Sequence, residues 1–168
     1  LCTSPLPPGS IMHVSGGVYV VSPELCFMQL ATELSLHELI QLGFELGGTY
    51  APSPEHMGGL RSRREPLLGV DRLKALLRAT PGMHGHVRAE RAARFVLEGA
   101  RSPMETLSAM FLGLPRRLGG KGLPDMALNV RVELDDQARR LAHKSYLECD
   151  LFWPQARLAV EYEGRRYH

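Results

Sequence analysis

The positions of apolar and polar residues predict a β-hairpin near the start of the chain, followed by helices. His13–Val21 is rich in β-branched residues and predicts a hairpin that turns at Gly16-Gly17. Ser22-Pro23-Glu24 is typical of a helix start, and we expect this helix to continue to about Glu33. A Ser-x-x-Glu capping box at Ser35 predicts a second helix, which ends at a Gly-Gly pair.

The middle of the chain predicts a loop and three further helices. Ala51–Arg64 is rich in Pro, Gly and Ser, which indicates a linker or a long loop. Helical periodicity then predicts helices over Val70–Ala79 and Val87–Leu97. Ser102-Pro103 repeats the Ser-Pro start and opens a third helix. We expect three apolar side chains of this helix to be buried: Leu107, Met110 and Phe111.

The last part of the chain predicts strands. Three strand-like runs follow a Gly-rich loop at Leu118–Asp125: Ala127–Leu134, Lys144–Leu151 and Arg157–Tyr162. With the upstream elements, these runs predict an α/β (α+β) chain. We expect three segments, namely a small α/β region at residues 1–60, a basic helical segment at 61–99 and a core at 100–168.

Charge is divided unevenly along the chain, although the net charge is only +2. Residues 1–60 contain five acidic and no basic residues, and residues 61–121 contain 13 basic and 5 acidic residues, a net charge of +8. Residues 122–168 contain 7 basic and 8 acidic residues. The basic middle has two interpretations: it contacts the phosphates of a nucleic acid, or it is a solvated helix surface.

Composition excludes several classes of protein. With 44% hydrophobic and 23% charged residues, the chain is typical of a globular domain, and it has no apolar run that could cross a bilayer. The three cysteines are an odd number without a C-x-x-C spacing, which argues against zinc and disulfides and favours a cytoplasmic location. Because the chain begins at Leu1 without a methionine and stops within a charged segment, we expect a fragment of a longer chain.

The most informative pattern is a set of acidic residues on the last predicted hairpin. A hairpin centred between Gln155 and Ala156 places Asp150 opposite Glu161. It also places Glu148 opposite Glu163. Facing like charges are destabilising, and a divalent cation would neutralise them; oxygen ligands alone favour Mg²⁺ or Mn²⁺. The alternative is the solvated face of an edge hairpin, where acidic residues discourage aggregation.

Four stretches of the chain carry recognisable motifs: S-P-M-E-T at Ser102–Thr106, L-P-D-M-A-L-N at Leu123–Asn129, C-D-L-F-W-P at Cys149–Pro154, and V-E-Y-E-G-R-R-Y-H at Val160–His168. Together they resemble the PD-(D/E)XK nuclease superfamily, and more narrowly the bacterial proteins related to the very-short-patch-repair endonuclease. The resemblance covers residues 100–168. Upstream, the region from Val20 to Glu24 and the helices after it are similar to the C-terminal part of type IV antitoxins.

The resemblance implies a restriction-endonuclease-like α-β-β-β-α-β core, which we expect here to be short of its last helix and strand. Asp150 and Glu161 would bind Mg²⁺ or Mn²⁺, with Glu105 as a further ligand or water-positioning group. Glu163 stands where many members have the catalytic lysine, and it would act as a general base or as a ligand of the metal. His168 matches a motif histidine that protonates the leaving oxygen or acts as a base; the alternative is a surface histidine.

Three basic residues are the candidate DNA contacts because they directly follow the helix of Glu105: Arg116, Arg117 and Lys121. The adjoining Gly119–Gly122 lacks the spacing of a P-loop, so we expect no nucleotide cofactor. We expect Trp153 to be an anchor to the core.

These patterns lead to three hypotheses about function. The first is a cytoplasmic, Mg²⁺-dependent endonuclease that hydrolyses phosphodiester bonds of DNA, with no membrane partner. The second is a non-catalytic DNA-binding or antitoxin-like regulator that retains the nuclease scaffold, as the acidic residue in place of the lysine permits. The third is a protein-interaction module in which the acidic residues 1–60 dock on the basic residues 61–121.

Overall fold

The structure, a computed structural model, describes residues 5–56 and 59–163, which form a mixed α/β chain of six α-helices and small antiparallel sheets. This confirms the predicted class in its coarse form. Helices α1 to α6 span Pro23–Leu30, Leu36–Gly47, Val70–Ala79, His86–Ala93, Pro103–Gly113 and Asp136–Ala142. Strands β1 to β7 span Ile11–Ser15, Val18–Val21, Ala51–Pro52, Leu60–Arg61, Ala127–Glu133, Tyr146–Trp153 and Leu158–Val160.

The first elements follow the predicted signals closely. Strands β1 and β2 pair around the Gly-Gly turn, and the Ser22 side chain caps α1 by accepting from the backbone N–H of Leu25. Ser35 and Glu38 form the predicted capping box of α2. Helix α1 ends at Leu30, three residues earlier than predicted, because the N–H groups of Thr32 and Glu33 donate to carbonyls three residues back, which tightens the chain into turns.

Helices α1 to α4 enclose most of the buried core. As predicted, Leu73, Leu76 and Leu77 of α3 point inward, and so does Ala92 of α4. The prediction that α4 continues to residue 97 is wrong. The helix ends at residue 93, since the following segment turns so that the N–H of Gly99 reaches the carbonyl of residue 47 at 3.0 Å.

Helix α5 turns a different face inward than the pattern predicts. Met110 is buried as expected, but Leu107 is 46% and Phe111 53% exposed, so the prediction for these two is wrong. Two hydrogen bonds fix the rotation of the helix: one joins the Thr106 hydroxyl to the Tyr50 hydroxyl at 3.0 Å, and another holds the carboxylate of Glu105. These contacts place the face with residues 105, 106, 109 and 110 against the core.

The last three strands form one antiparallel sheet in the order β5-β6-β7. The predicted register of the last hairpin is confirmed, since Leu151 pairs with Val160. The third strand is shorter than predicted and ends at residue 160. Helix α6, which was not predicted, lies between β5 and β6 and is capped by the side chain of Asp135 at 2.8 Å from the N–H of Ala138.

The segment at residues 51–64 is more ordered than its composition suggests. Strands β3 and β4 form a two-residue antiparallel ladder, in which Ala51 pairs with Arg61. The guanidinium of Arg64 donates to the carbonyls of Tyr50, Glu65 and Glu45, and the first two contacts measure 2.9 and 3.0 Å. The last of these carbonyls lies in the final turn of α2, so this cation also caps the helix. The loop is therefore held firmly against α2.

Candidate functional site

The central feature of the site is the pair Asp150 and Glu161 at the end of the β6–β7 hairpin. The observed register places them opposite each other, one position beyond the last pair of the ladder. The backbone N–H of Tyr162 donates to Asp150 Oδ2 at 2.8 Å, which extends the contact between the two chain segments past β7. The neighbours Cys149 and Leu151 are buried on the opposite face of β6, so Asp150 is directed away from that core face.

Glu161 lies within electrostatic reach of three other carboxylates. Desolvation is the main cause that raises the pKa of Glu161, and the negative charges of Asp150, Glu105 and Glu163 raise it further. The backbone hydrogen bond from Asp150 opposes this shift. Burial, followed by the charges of Glu161 and Asp150, likewise raises the pKa of the Cys149 thiol. The negative charges of Asp150, Glu105 and Glu163 therefore all act on Glu161.

Glu105 is held more tightly than a solvated ligand would be. It is 7% exposed, and its Oε1 accepts from the Ser102 hydroxyl at 2.9 Å. Its Oε2 accepts from the backbone N–H of Arg101 at 2.9 Å and from Asn129 Nδ2 at 2.8 Å. Position in the first turn of α5 adds a favourable interaction with the helix dipole. The carboxylate is thus fixed in place by three donors, two from the residues just before α5 and one from β5.

Asn129 is a residue of the site that the sequence analysis did not assign a role. Its Nδ2 bridges Glu105 and the carbonyl of Gly99, at 2.8 and 2.9 Å. Its φ of 51° lies in the left-handed region, where asparagine is better tolerated than most residues. The signal was present, because this asparagine is the last residue of the L-P-D-M-A-L-N motif. The residue positions Glu105 through a hydrogen bond rather than through a charge.

Glu148 has a different partner from the one predicted. The β6–β7 ladder ends before it, so the expected facing pair with Glu163 is not part of the ladder. Instead, Glu148 forms an ion pair with Arg101, with 2.8 Å between Oε2 and the guanidinium. The hydrogen bond from Arg101 lowers the pKa of Glu148 and raises the pKa of Arg101. Because both side chains are about half exposed, this pair contributes little to stability.

The donor chemistry of the site fits Mg²⁺ or Mn²⁺, since Asp150, Glu161 and Glu163 supply only hard carboxylate oxygens. Within residues 5–56 and 59–163, however, no group of three or more His, Cys, Asp or Glu side chains is arranged to hold a metal ion. Coordination of one ion by these three carboxylates would require rotation of their side chains toward one point. The exposed positions of Glu161 and Glu163 leave room for that rotation.

The candidate DNA contacts lie on an ordered turn after α5. Arg116 and Arg117 are exposed in a short 3-10 turn. The Lys121 Nζ lies 4.9 Å from the centre of the Phe111 ring, and the Lys121 N–H donates to the Phe111 carbonyl at 2.8 Å. His37 of α2 contacts the carbonyl of Leu118 at 2.8 Å. The turn presents three cations close to α5, and their role in DNA binding stays a prediction.

Several arginines of the basic middle have structural partners. Arg72 pairs with the buried Glu24 at 3.0 Å, which joins the basic segment to the acidic one. Arg88 donates to the Leu34 carbonyl at 2.9 Å. With Arg64, these residues hold the helices together, so only part of the basic charge is available to a partner.

Two more of the sequence-based predictions concern His168 and Trp153. His168 lies outside the described residues. Trp153 is 5% exposed and belongs to the core cluster, which confirms that it is an anchor.

Comparisons of the chain with protein-family models, with curated proteins and with solved structures found no match. No helix in the described part of the chain is long and apolar enough to cross a membrane. The site must therefore be interpreted from its own residues.

Proposed function

We propose that the chain is a Mg²⁺- or Mn²⁺-dependent DNA endonuclease, with a restriction-endonuclease-like core formed by α5 and β5 to β7. The observation that carries this proposal is the pair Asp150 and Glu161 on facing hairpin positions, with Glu105 and Glu163 close enough to raise the pKa of Glu161. Such a concentration of like charge is unfavourable in the absence of a cation. Helix α6 between β5 and β6 departs from the uninterrupted strand order of the proposed core.

The four carboxylates have three different roles in this proposal. Asp150 and Glu161 bind the metal, and Glu105 orients the site from α5 through its fixed hydrogen bonds. Glu163 accepts a proton from the attacking water as general base. A bound Mg²⁺ or Mn²⁺ would supply a water of lowered pKa and stabilise the charge that develops on the phosphate. His168 is the proposed acid for the leaving oxygen.

Substitution of Asp150 by Asn tests the proposal. The variant D150N keeps an oxygen that can accept from the N–H of Tyr162, so its melting temperature should match that of the wild type within a few degrees. Cleavage of a plasmid in Mn²⁺ should fall by at least about a hundredfold, since metal and oriented water supply much of the rate. D136N, at an exposed position of α6, is the matched control. Equal cleavage by D150N and the control would refute the assignment.

A non-catalytic DNA-binding or antitoxin-like regulator is the second candidate. The observation that favours it is the state of Glu105. Both carboxylate oxygens of this residue already accept hydrogen bonds within the protein, so they are engaged without a metal ion. A regulator of this kind would bind DNA without a divalent ion. Calorimetry with Mn²⁺ separates the two candidates, because the nuclease should release or absorb heat at millimolar metal and the regulator should not.

A further inference from the structure

A second polar site adjoins the carboxylates and involves the ordered loop before α3. An open cleft of about 610 Å³ lies between this loop and the start of the α5 region. The cleft is lined by Thr49, Ser62, Arg63, Arg64, Arg101 and Glu148, together with Glu65 and Pro66. Arginines from two separate segments of the chain thus face one space.

Two residues that line the cleft, Glu148 and Arg101, also border the carboxylate site. Glu148 lies two positions before Asp150 on the same face of β6, a separation of about 7 Å along a strand. The backbone N–H of Arg101 donates to Glu105 at 2.9 Å, while its guanidinium pairs with Glu148. A polymer that occupies the cleft would therefore continue toward Asp150.

The three arginines differ in how far their side chains are engaged. The Arg64 guanidinium already donates to three backbone carbonyls and is part of the scaffold. Arg101 forms a half-exposed ion pair, which exchanges readily for another anion. Among the described residues, Arg63 has no ion pair with a carboxylate. The loop around it is nonetheless fixed by the β3–β4 ladder and by Arg64, so its position is defined.

We propose that this cleft binds the backbone phosphates of DNA next to the carboxylate site, with Arg63 as the main phosphate contact and Arg101 as the second. The inference rests on the proposed function in taking DNA as the ligand. Planar guanidinium groups that line one cleft suit phosphate oxygens, which they contact by two parallel hydrogen bonds. When a phosphate enters, Arg101 exchanges part of its contact with Glu148 for the ligand.

The test uses the binding of a fluorescein-labelled DNA duplex in EDTA, followed by anisotropy at several NaCl concentrations. The variant R63G removes the side chain, while glycine adopts the observed φ of 59° without strain, so the fold should be retained. We expect its Kd to rise about fivefold or more, and the slope of log Kd against log salt to fall by about one. R140A, which removes an exposed charge on α6 outside the cleft, should change Kd less than twofold.

A second pair of variants removes a negative charge instead of a positive one and should strengthen DNA binding. E148Q removes a negative charge from the cleft and frees Arg101, so we expect tighter DNA binding. E133Q is the matched control, because Glu133 also forms exposed ion pairs, with Arg131 and Arg139, but lies outside the cleft. The proposal predicts a larger gain for E148Q than for E133Q, and equal gains would count against it.

The possible outcomes separate this proposal from the proposed function. If R63G binds DNA as tightly as the wild type, the cleft is not the phosphate site, and plasmid cleavage in Mn²⁺ still decides the function. If binding depends on Arg63 but the wild type does not cleave, the cleft is supported and the nuclease proposal fails. A wild-type protein that binds no DNA at low salt overturns both.

Discussion

Replacing Glu105 by alanine should destabilise the protein strongly, because this carboxylate satisfies three donors in a nearly buried position. The donors are the Ser102 hydroxyl, the N–H of Arg101 and the Asn129 amide. Leaving a buried donor unsatisfied costs about 1–3 kcal/mol each, and entry of water into the vacated space recovers part of that cost. The expected loss is therefore about 3 kcal/mol, to which the lost helix-dipole interaction adds about 0.5 kcal/mol. For a domain of this size, a total loss of about 3.5 kcal/mol lowers the melting temperature by roughly 7–14 °C.

The E105Q variant separates the loss of the negative charge from the loss of the hydrogen-bond network. Its amide oxygen can accept from both N–H donors, and its NH₂ group can donate to the Ser102 hydroxyl oxygen, so the network survives with neutral hydrogen bonds. The loss should be about 1 kcal/mol, the difference between charged and neutral hydrogen bonds. Differential scanning calorimetry of the three proteins at pH 7 provides the comparison. If E105A melts within 2 °C of the wild type, or if E105Q is as unstable as E105A, the reasoning about the network is wrong.

Two further predictions concern the scaffold. S35A should lose about 1 kcal/mol of stability, measured by urea unfolding, because the capping box of α2 is broken. The hydrogen bonds from Ser35 lower the pKa of Glu38, so the stability that they contribute is present above the pKa of Glu38 in the unfolded chain and is lost as pH falls through its pKa in the folded protein. E38Q should therefore reduce the loss of stability on acidification, and an unchanged pH dependence of stability would contradict this prediction. G120A should cost about 2 kcal/mol, since a Cβ there would lie 2.0 Å from the Leu114 carbonyl oxygen. G47A, whose nearest neighbour would lie at 3.6 Å, is its control, and equal stability of the two variants would refute the argument.

Local signals predicted the elements of this fold well. The Ser-Pro starts, the capping box and the Gly-Gly turn act over a few residues, so α1, α2 and the β1–β2 hairpin follow from the sequence. The register of the β6–β7 hairpin follows from strand periodicity and turn position. Helix α6 was missed because its seven residues contain no buried side chain, and an apolar pattern therefore could not reveal it.

Long-range contacts were less predictable. The rotation of α5, which exposes Leu107 and Phe111, depends on hydrogen bonds with Asn129 and Tyr50, and these residues are distant in sequence. The ion pair of Glu148 with Arg101 likewise joins positions 47 residues apart. The facing of Asp150 and Glu161, by contrast, is a local property of one hairpin, and for that reason the sequence analysis could locate it.

The central claim is that Asp150 and Glu161 bind one divalent ion together. The most direct measurement is anomalous diffraction from crystals of the protein soaked in millimolar Mn²⁺. The account predicts a peak within about 2.5 Å of carboxylate oxygens of both residues, and loss of that peak in D150N. A peak at other residues only, or no peak at millimolar Mn²⁺, would contradict it.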